Sequence, residues 1–262
     1  MAGLTNRQIR EIAALEHARI RRERRRFLIE GTLCVTEALQ VGFPLEKVYL
    51  TSQYLESDSG RRIWETCRKY QMDIELVPLS ALQRMSSQEQ PQGVIAVGIC
   101  QEASSDWIES DEDILLVIPY LSDPGNLGTI LRTAHAFDIP SIWIGGGSVD
   151  PWNPKVVRGS MGSLFHLKLR RSATLTDDLG GLKSRGVHLF ALDSNGESPV
   201  SEILHQPGKT ALIIGHEAEG IPNDLRALCH KRVVLGQPGA GVGSLNVAVA
   251  GAIVMYLLRH AS

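Results

Sequence analysis

Short apolar runs alternate with amphipathic stretches along most of the chain, the pattern of an α/β protein. In the first part, Phe27–Glu30, Lys47–Thr51, Ile74–Pro78 and Val94–Ile99 read as strands. About Thr32–Val41, Gly60–Tyr70 and Ser80–Met85 read as the helices between them, giving a small α/β domain over residues 27–100. The polar, acidic stretch 101–113 has no periodicity and reads as a linker. A second series starts at Ile114, with strands expected at Ile114–Tyr120, Ser141–Gly145, Phe165–Lys168, His188–Leu192, Thr210–Gly215 and Lys231–Leu235. Their near-continuous apolar character predicts a mostly parallel sheet covered by helices on both faces. Those helices are expected at about Asn126–Phe137, Pro154–Gly159, Leu175–Ser184, Asp224–Leu228 and Leu245–Arg259, completing a second domain over residues 114–262.

The first 26 residues stand apart. They hold eight of the 27 basic residues, all Arg, among them Arg22, Arg24 and Arg25. Ile9, Ile12, Leu15 and Ile20 have partial helical spacing, which predicts a basic helix or arm over residues 1–26. A solvated helix and a phosphate-contacting arm are both open readings.

Composition limits the function classes. Hydrophobic residues make up 43% and charged residues 21%, enough apolar material for a packed core. The formal charge of -2 excludes a globally basic binder but leaves room for a local basic patch. Cys34, Cys67, Cys100 and Cys229 are scattered, without a C-x-x-C pair or a His partner at zinc spacing, so reduced thiols in a cytoplasmic protein are expected and no metal site is. The polar, Arg-rich start predicts no secretory signal. The longest apolar run, Leu245 to Leu258, is 14 residues and includes Asn246, too short to span a bilayer.

In an open α/β sheet, ligands bind beyond the carboxyl ends of the strands, so three strand-end loops matter most. The first, Ser122–Arg132, opens a helix that Asp123 or Asn126 can cap, with Gly128 and Arg132 on one helical face. The second, Gly215–Pro222, has glycine at 215 and 220 with Glu217 between, an arrangement suited to backbone wrapping a ligand. The third, Gly236–Val247, is glycine-rich and leads into the apolar final helix, for which Ser244 suits the N-cap. It fails as a dinucleotide fingerprint, because the third glycine position is Ser244 and no acidic residue follows at the required distance. Taken singly, each loop is compatible with an ordinary turn.

Together, N-x-G-x-x-x-R (Asn126–Arg132), G-x-E-x-x-G (Gly215–Gly220) and S-L-N-V-A (Ser244–Ala248) resemble the SpoU/TrmH family of RNA ribose 2′-O-methyltransferases, within the SPOUT superfamily. Asp150–Arg158 and Gly162–His166 look like its middle segment, and Phe27–Gly31 with Pro91–Val94 like the accessory substrate domain of its longer members. The resemblance implies a C-terminal trefoil knot, a homodimer, and S-adenosylmethionine lying along Leu192, Ile214, Gly215, Leu235, Gly236, Ser244 and Leu245. Asn126, Arg132, Glu217, Ser244 and Asn246 would form the catalytic set. The family usually has Asn where this chain has His216, and I-P-M where this chain has part of Gly236–Ala240, both in the loops expected to wrap the cofactor.

The expected reaction is methyl transfer to a ribose hydroxyl of structured RNA, 23S ribosomal RNA first, with transfer RNA as the alternative substrate. A catalytically silent RNA-binding or assembly protein on the same scaffold is the other alternative. Because a guanidinium keeps its proton, Arg132 is assigned to holding the adjacent phosphate and stabilising the developing alkoxide. Lys155 and Arg158, on one face of a helix capped by Asn153 and begun by Pro154, join Arg22, Arg24 and Arg25 as candidate RNA contacts, ordinary solvated charges being the alternative. For Val249, Ile253 and Tyr256 on the final helix, a dimer contact and core burial both remain open. His135, His166 and His188 show no acid–base partner and are read as packing residues.

Overall fold

The computed structural model describes residues 4–103, 107–204, 206–216, 219–236 and 245–260, with only the backbone at Ile108. The chain forms two compact units, residues 1–101 with 150–166, and residues 102–149 with 167–262.

The first unit begins with helices α1 (Asn6–Ala13) and α2 (Ala18–Arg24), then β1 (Arg26–Glu30), α3 (Thr32–Gln40), β2 (Leu45–Leu50), α4 (Ser52–Leu55), α5 (Asp58–Lys69), β3 (Ile74–Leu76), α6 (Leu79–Met85) and β4 (Val94–Ile99). The sheet order is β1-β4-β2-β3, with β4 antiparallel to both neighbours and β2 parallel to β3. A reciprocal Thr5–Gln8 capping box starts α1. Its apolar stripe, Ile9 and Ile12, is buried with Leu15 among Leu28, Tyr49 and Val97. The expected basic helix is therefore two helices, separated by a 3-10 turn at Ala14–Glu16 and packed on this unit's core. Arg21 points inward, donating to Asp150 at 2.8 Å and to the carbonyls of Leu15 and Glu16 at 2.9 and 2.6 Å. A buried guanidinium requires such full pairing.

The second unit opens with β5 (Ile114–Ile118), α7 (Pro124–Ala136) and β6 (Ser141–Gly145). The chain then contributes α8 (Pro154–Gly159), within residues 150–166, to the first unit, where the Trp152 ring lies 4.6 Å from Phe27, tilted by 38°, and Phe165 lies 5.0 Å from Phe43. It returns with β7 (Lys168–Ser172), α9 (Leu175–Ser184), β8 (His188–Leu192), β9 (Ser198–Pro199), β10 (Thr210–Ile214), α10 (Asn223–Leu228), β11 (Lys231–Val234) and α11 (Val247–His260). The order is β7-β6-β5-β10-β8-β11-β9, parallel at every pairing. On one face Leu115, Val117, Ala211 and Ile213 pack with Leu175, Leu179 and Leu225. On the other, α7 and α11 lie together, and a Cβ on Gly251 would come 2.9 Å from Ile214 Cδ1.

Three readings are corrected and two short elements are added. The strand expected at Phe165–Lys168 is Lys168–Ser172, because Ser163–His166 is a 3-10 turn after Gly162, whose φ is +90°. The short strand β9 and helix α4 carry too few residues to show a period. His166 does have a partner, since its Nε2 lies 2.7 Å from Glu37 Oε1. Val249, Ile253 and Tyr256 are not core residues, being 48%, 39% and 50% exposed.

Candidate active site

In the second unit the chain runs from β5 outward through β6 and β7, and its later strands lie on the other side of β5. The order therefore reverses between β5 and β10, whose carboxyl ends flank the crevice where such sheets bind ligands. Leu192 is in register with Ile214 on one side and Val233 on the other. Leu192, Ile214, Gly215, Leu235 and Gly236 thus gather at the carboxyl ends of three neighbouring strands. Ile214 and Gly215 are buried, Leu192 and Leu235 half-buried, and Gly236 and Leu245 exposed.

Gly215 is required by its surroundings, because a Cβ there would lie 2.6 Å from the Gly220 carbonyl. Beyond it, the amides of His216 and Gly220 each donate to the other's carbonyl at 2.9 Å, with Gly220 at φ +68°. These two bonds bring the ends of the loop together, and the Glu219 amide adds a donation to His216 Nδ1 at 3.2 Å.

In the first loop Asp123 caps α7, its Oδ1 accepting from the Asn126 amide at 2.7 Å, with Pro124 in the first helical position. That leaves the Asn126 side chain to face the third loop, where its Oδ1 accepts from Asn246 Nδ2 at 3.0 Å. Asn246 also caps the final helix, its Oδ1 accepting from the amides of Ala248 and Val249 at 2.9 and 3.3 Å. The cap is thus Asn246, not Ser244, and the helix begins at Val247. Ser122 Oγ and His216 Nε2, 3.2 Å apart, join the first loop to the second, with the Tyr120 ring 5.0 Å from the imidazole. Arg132 is exposed on α7, one turn beyond buried Gly128. Glu217, Ser244 and residues 237–243 lie outside the described residues.

Sequence reasoning missed Tyr120, Ser122 and the His216 bridge. The available signal was a polar residue a few positions beyond each of two apolar strands, Ser122 after Ile118 and His216 after Ile214. It also missed Asp193, which follows Leu192. This carboxylate, 7% exposed, sits 3.6 Å from Arg226 Nε and 3.9 Å from Arg232 Nη1.

The cationic candidates lie in the first unit and divide. Lys155 is exposed on α8, with Asn153 Oδ1 accepting from its amide at 2.8 Å. Arg158 instead donates to Ser87 Oγ at 2.8 Å and lies 3.8 Å from Glu30, a buried carboxylate that accepts from Ser86, Ser87 and Gln88. Arg22 and Arg25 are exposed and make no ion pair among the described residues, while Arg24 lies 3.8 Å from Glu11. Burial pushes the thiols of Cys34, Cys67 and Cys229 up to about 11 and that of Cys100 to about 12, so none is a ready nucleophile. Among the described residues, no group of three His, Cys, Asp or Glu side chains could hold a metal ion, and no helix is long and apolar enough to cross a membrane.

A doubly wound parallel sheet, with polar loops tied together across its switch point, defines the second unit as a ligand-binding α/β domain of the enzyme kind. The model of the SpoU rRNA methylase family matches residues 113–256, and that of the MRM3-like substrate-binding domain matches residues 6–96. The chain belongs to the SpoU rRNA methylase family. It is 32% identical over 256 residues to the 23S rRNA guanosine 2′-O-methyltransferase RlmP of Bacillus subtilis, covering 97% of this chain and 96% of that protein. A 23S rRNA uridine 2′-O-methyltransferase of Streptomyces viridochromogenes is 30% identical, covering 88% and 81%. Among solved structures, the AdoMet-bound rRNA methyltransferase of Sinorhizobium meliloti superposes with a TM-score of 0.85 at 25% identity, covering 99% of this chain and 96% of that one.

Proposed function

We propose that the protein transfers a methyl group from S-adenosylmethionine to a ribose 2′-hydroxyl of structured RNA, 23S ribosomal RNA in the first place. The observation that carries this is the joining of three strand-end loops, Asn126 to Asn246 at 3.0 Å and Ser122 to His216 at 3.2 Å, at the switch point of the sheet. The named activities of the Bacillus and Streptomyces relatives support the ribose hydroxyl and the 23S substrate.

The residues present fit the cofactor. Apolar Leu192, Ile214, Leu235 and Leu245 suit the faces of an adenine ring, and Gly215 offers backbone at a position where a side chain could not fit. When bound, S-adenosylmethionine supplies a methyl group made electrophilic by a sulfonium. A guanidinium keeps its proton in proteins. Arg132 therefore serves by holding the phosphate beside the target ribose and by stabilising negative charge as it develops on the 2′-oxygen. Asn126 and Asn246 hold the substrate in line, where placement within a fraction of an ångström governs rate. Glu217 and Ser244 complete the set in this reading.

The RNA is held by Arg22, Arg24, Arg25 and Lys155 on the first unit. The Ser87 and Glu30 contacts give Arg158 a structural task instead. The same reading includes a trefoil knot in the second unit, a cytoplasmic location, and a homodimer formed through the exposed apolar stripe Val249, Ile253 and Tyr256 on α11.

The test is methyl transfer from tritiated S-adenosylmethionine to unmodified 23S ribosomal RNA and to transfer RNA, followed by primer extension to locate the product. Label at a 2′-hydroxyl of 23S RNA is expected. Label only in transfer RNA would move the substrate, and binding of both RNAs without label would favour a silent RNA-binding protein.

A further inference from the structure

We infer that His216 is a positioning residue that holds the cofactor loop in shape and ties it to the first loop, and that its imidazole makes cofactor binding weaken in acid. The inference rests on the proposed cofactor. Its physical basis is the opposite hydrogen-bonding duty of the two ring nitrogens. Nδ1 accepts from the Glu219 amide at 3.2 Å, so it carries no hydrogen. A neutral ring then holds its hydrogen on Nε2, which donates to Ser122 Oγ at 3.2 Å. One tautomer serves both bonds.

Each bond does a separate task. The Nδ1 bond spans three residues and reinforces the reciprocal His216–Gly220 pair, so it shapes the turn that follows Gly215. The Nε2 bond crosses from β10's loop to β5's loop, four residues ahead of Asn126. Movement of the cofactor loop is thereby coupled to the loop bearing Asn126 and Arg132. Protonation places a hydrogen on Nδ1, where it opposes the Glu219 N–H, and the turn loses its internal bond.

Histidine is the side chain that changes charge across the pH range 5 to 8. Among the described residues, the Tyr120 ring beyond β5 lies 5.0 Å from the imidazole, and Glu219, whose amide meets Nδ1, is a titratable residue of the loop itself. Asp123, in the first loop, is engaged with the Asn126 amide. Glu217, next in sequence, lies outside the described residues. Substitution at 216 leaves all of them in place.

The experiment measures S-adenosylhomocysteine affinity by calorimetry on the full chain at about pH 7.5 and about pH 5.5, a span that includes histidine titration. One lost hydrogen bond predicts affinity about threefold to tenfold weaker at the lower pH. His216→Asn keeps an acceptor for the Glu219 amide through its Oδ1, cannot reach Ser122, and has no titrating ring. It is expected to bind with little pH dependence. Ser122→Ala, which removes only the cross-loop bond, should keep the acid decline. A flat wild-type profile, or an undiminished decline in His216→Asn, would overturn the inference. The ring ¹⁵N shifts of His216 in the unliganded protein give a second readout independent of the cofactor. A hydrogen on Nδ1 at neutral pH also overturns it. Failure of the wild type to bind at either pH would instead count against the cofactor assignment, and the ring shifts would still decide the tautomer.

Discussion

Replacing Asn246 by Ala and by Asp separates the two tasks that one side chain performs. Its Oδ1 accepts from the Ala248 and Val249 amides, and its Nδ2 donates to Asn126. Ala removes both functions. Loss of an N-cap costs about 1 kcal/mol, within a range of roughly 0.5–2. Loss of a side-chain hydrogen bond costs about 0.5–1.5 kcal/mol. The sum, near 2 kcal/mol, corresponds to a fall in melting temperature of about 4–8 °C for a unit of this size. Asp retains the capping oxygen and adds negative charge at the positive end of α11, worth about 0.3–1 kcal/mol in favour of the fold. It has no N–H for Asn126. The expected result is a melting temperature near wild type for Asn246→Asp and clearly lower for Asn246→Ala, with methyl transfer impaired in both. Scanning calorimetry and single-turnover transfer read the two effects apart. If Asp destabilises as much as Ala, the cap assignment is wrong. If Asp transfers methyl at the wild-type rate, the tie to Asn126 has no part in positioning.

Further outcomes are expected elsewhere. Arg132→Ala should reduce transfer by about a hundredfold or more, as for loss of a charge-stabilising donor, while S-adenosylhomocysteine affinity stays near wild type; equal losses in both would contradict the assigned role. Replacing Arg22, Arg24 and Arg25 together by Ala should flatten the dependence of log affinity for RNA on log salt by about 0.7–0.9 for each phosphate no longer neutralised, and an unchanged slope would remove them from the interface. Ile253→Lys, in the stripe on α11, should convert a dimer to monomer in sedimentation, with the second unit still folded by circular dichroism; an unchanged sedimentation coefficient would count against that interface. The four thiols contribute stability below their ordinary range, because burial raises each and an acid held neutral in the fold favours folding until the pH passes its unfolded value. Unfolding midpoints should therefore fall as pH rises from about 9 toward 11, and Cys→Ser replacements should reduce that fall.

The parallel sheet was legible because its strands are apolar on both faces, as in Ile114–Ile118 and Thr210–Ile214. Features set by distant partners were not. In β7, Leu169 and Ser172 are buried, while Arg170 lies 4.4 Å from the Trp143 ring and 2.9 Å from Asp178. Read locally, Lys-Leu-Arg-Arg-Ser looks like a solvated loop. Arg21 is one of eight arginines in the basic segment, and its charged partner, Asp150, lies 129 residues away. The choice of Asn246 over Ser244 as cap could not be made from spacing, because both residue types cap well. Arg259 docks the end of α11 by donating to the Phe137 carbonyl at 3.0 Å and to Asp113 at 2.8 Å, contacts that no short motif encodes.

The candidate site is built where the apolar core stops. Strand-end loops of glycine and polar residues bury little hydrocarbon, so nondirectional packing cannot fix them to the tolerance that in-line transfer requires. Hydrogen bonds can, because they constrain distance and angle together. The second loop is held in this way at both ends. At its start His216 reaches Ser122. At its finish the Ile221 carbonyl accepts from Arg226 Nη2 at 3.2 Å, and Arg226 is steadied by Asp193, whose Oδ1 accepts from the Asn195 amide at 2.9 Å. Asp193 is buried but Arg226 is 32% exposed, and a pair 3.6 Å apart at such a site gains little net stability. Their presence here makes sense as directional support, linking the loop after Leu192 to the loop after Ile214. The residues that would line the cofactor are thus held by side chains that need never touch it.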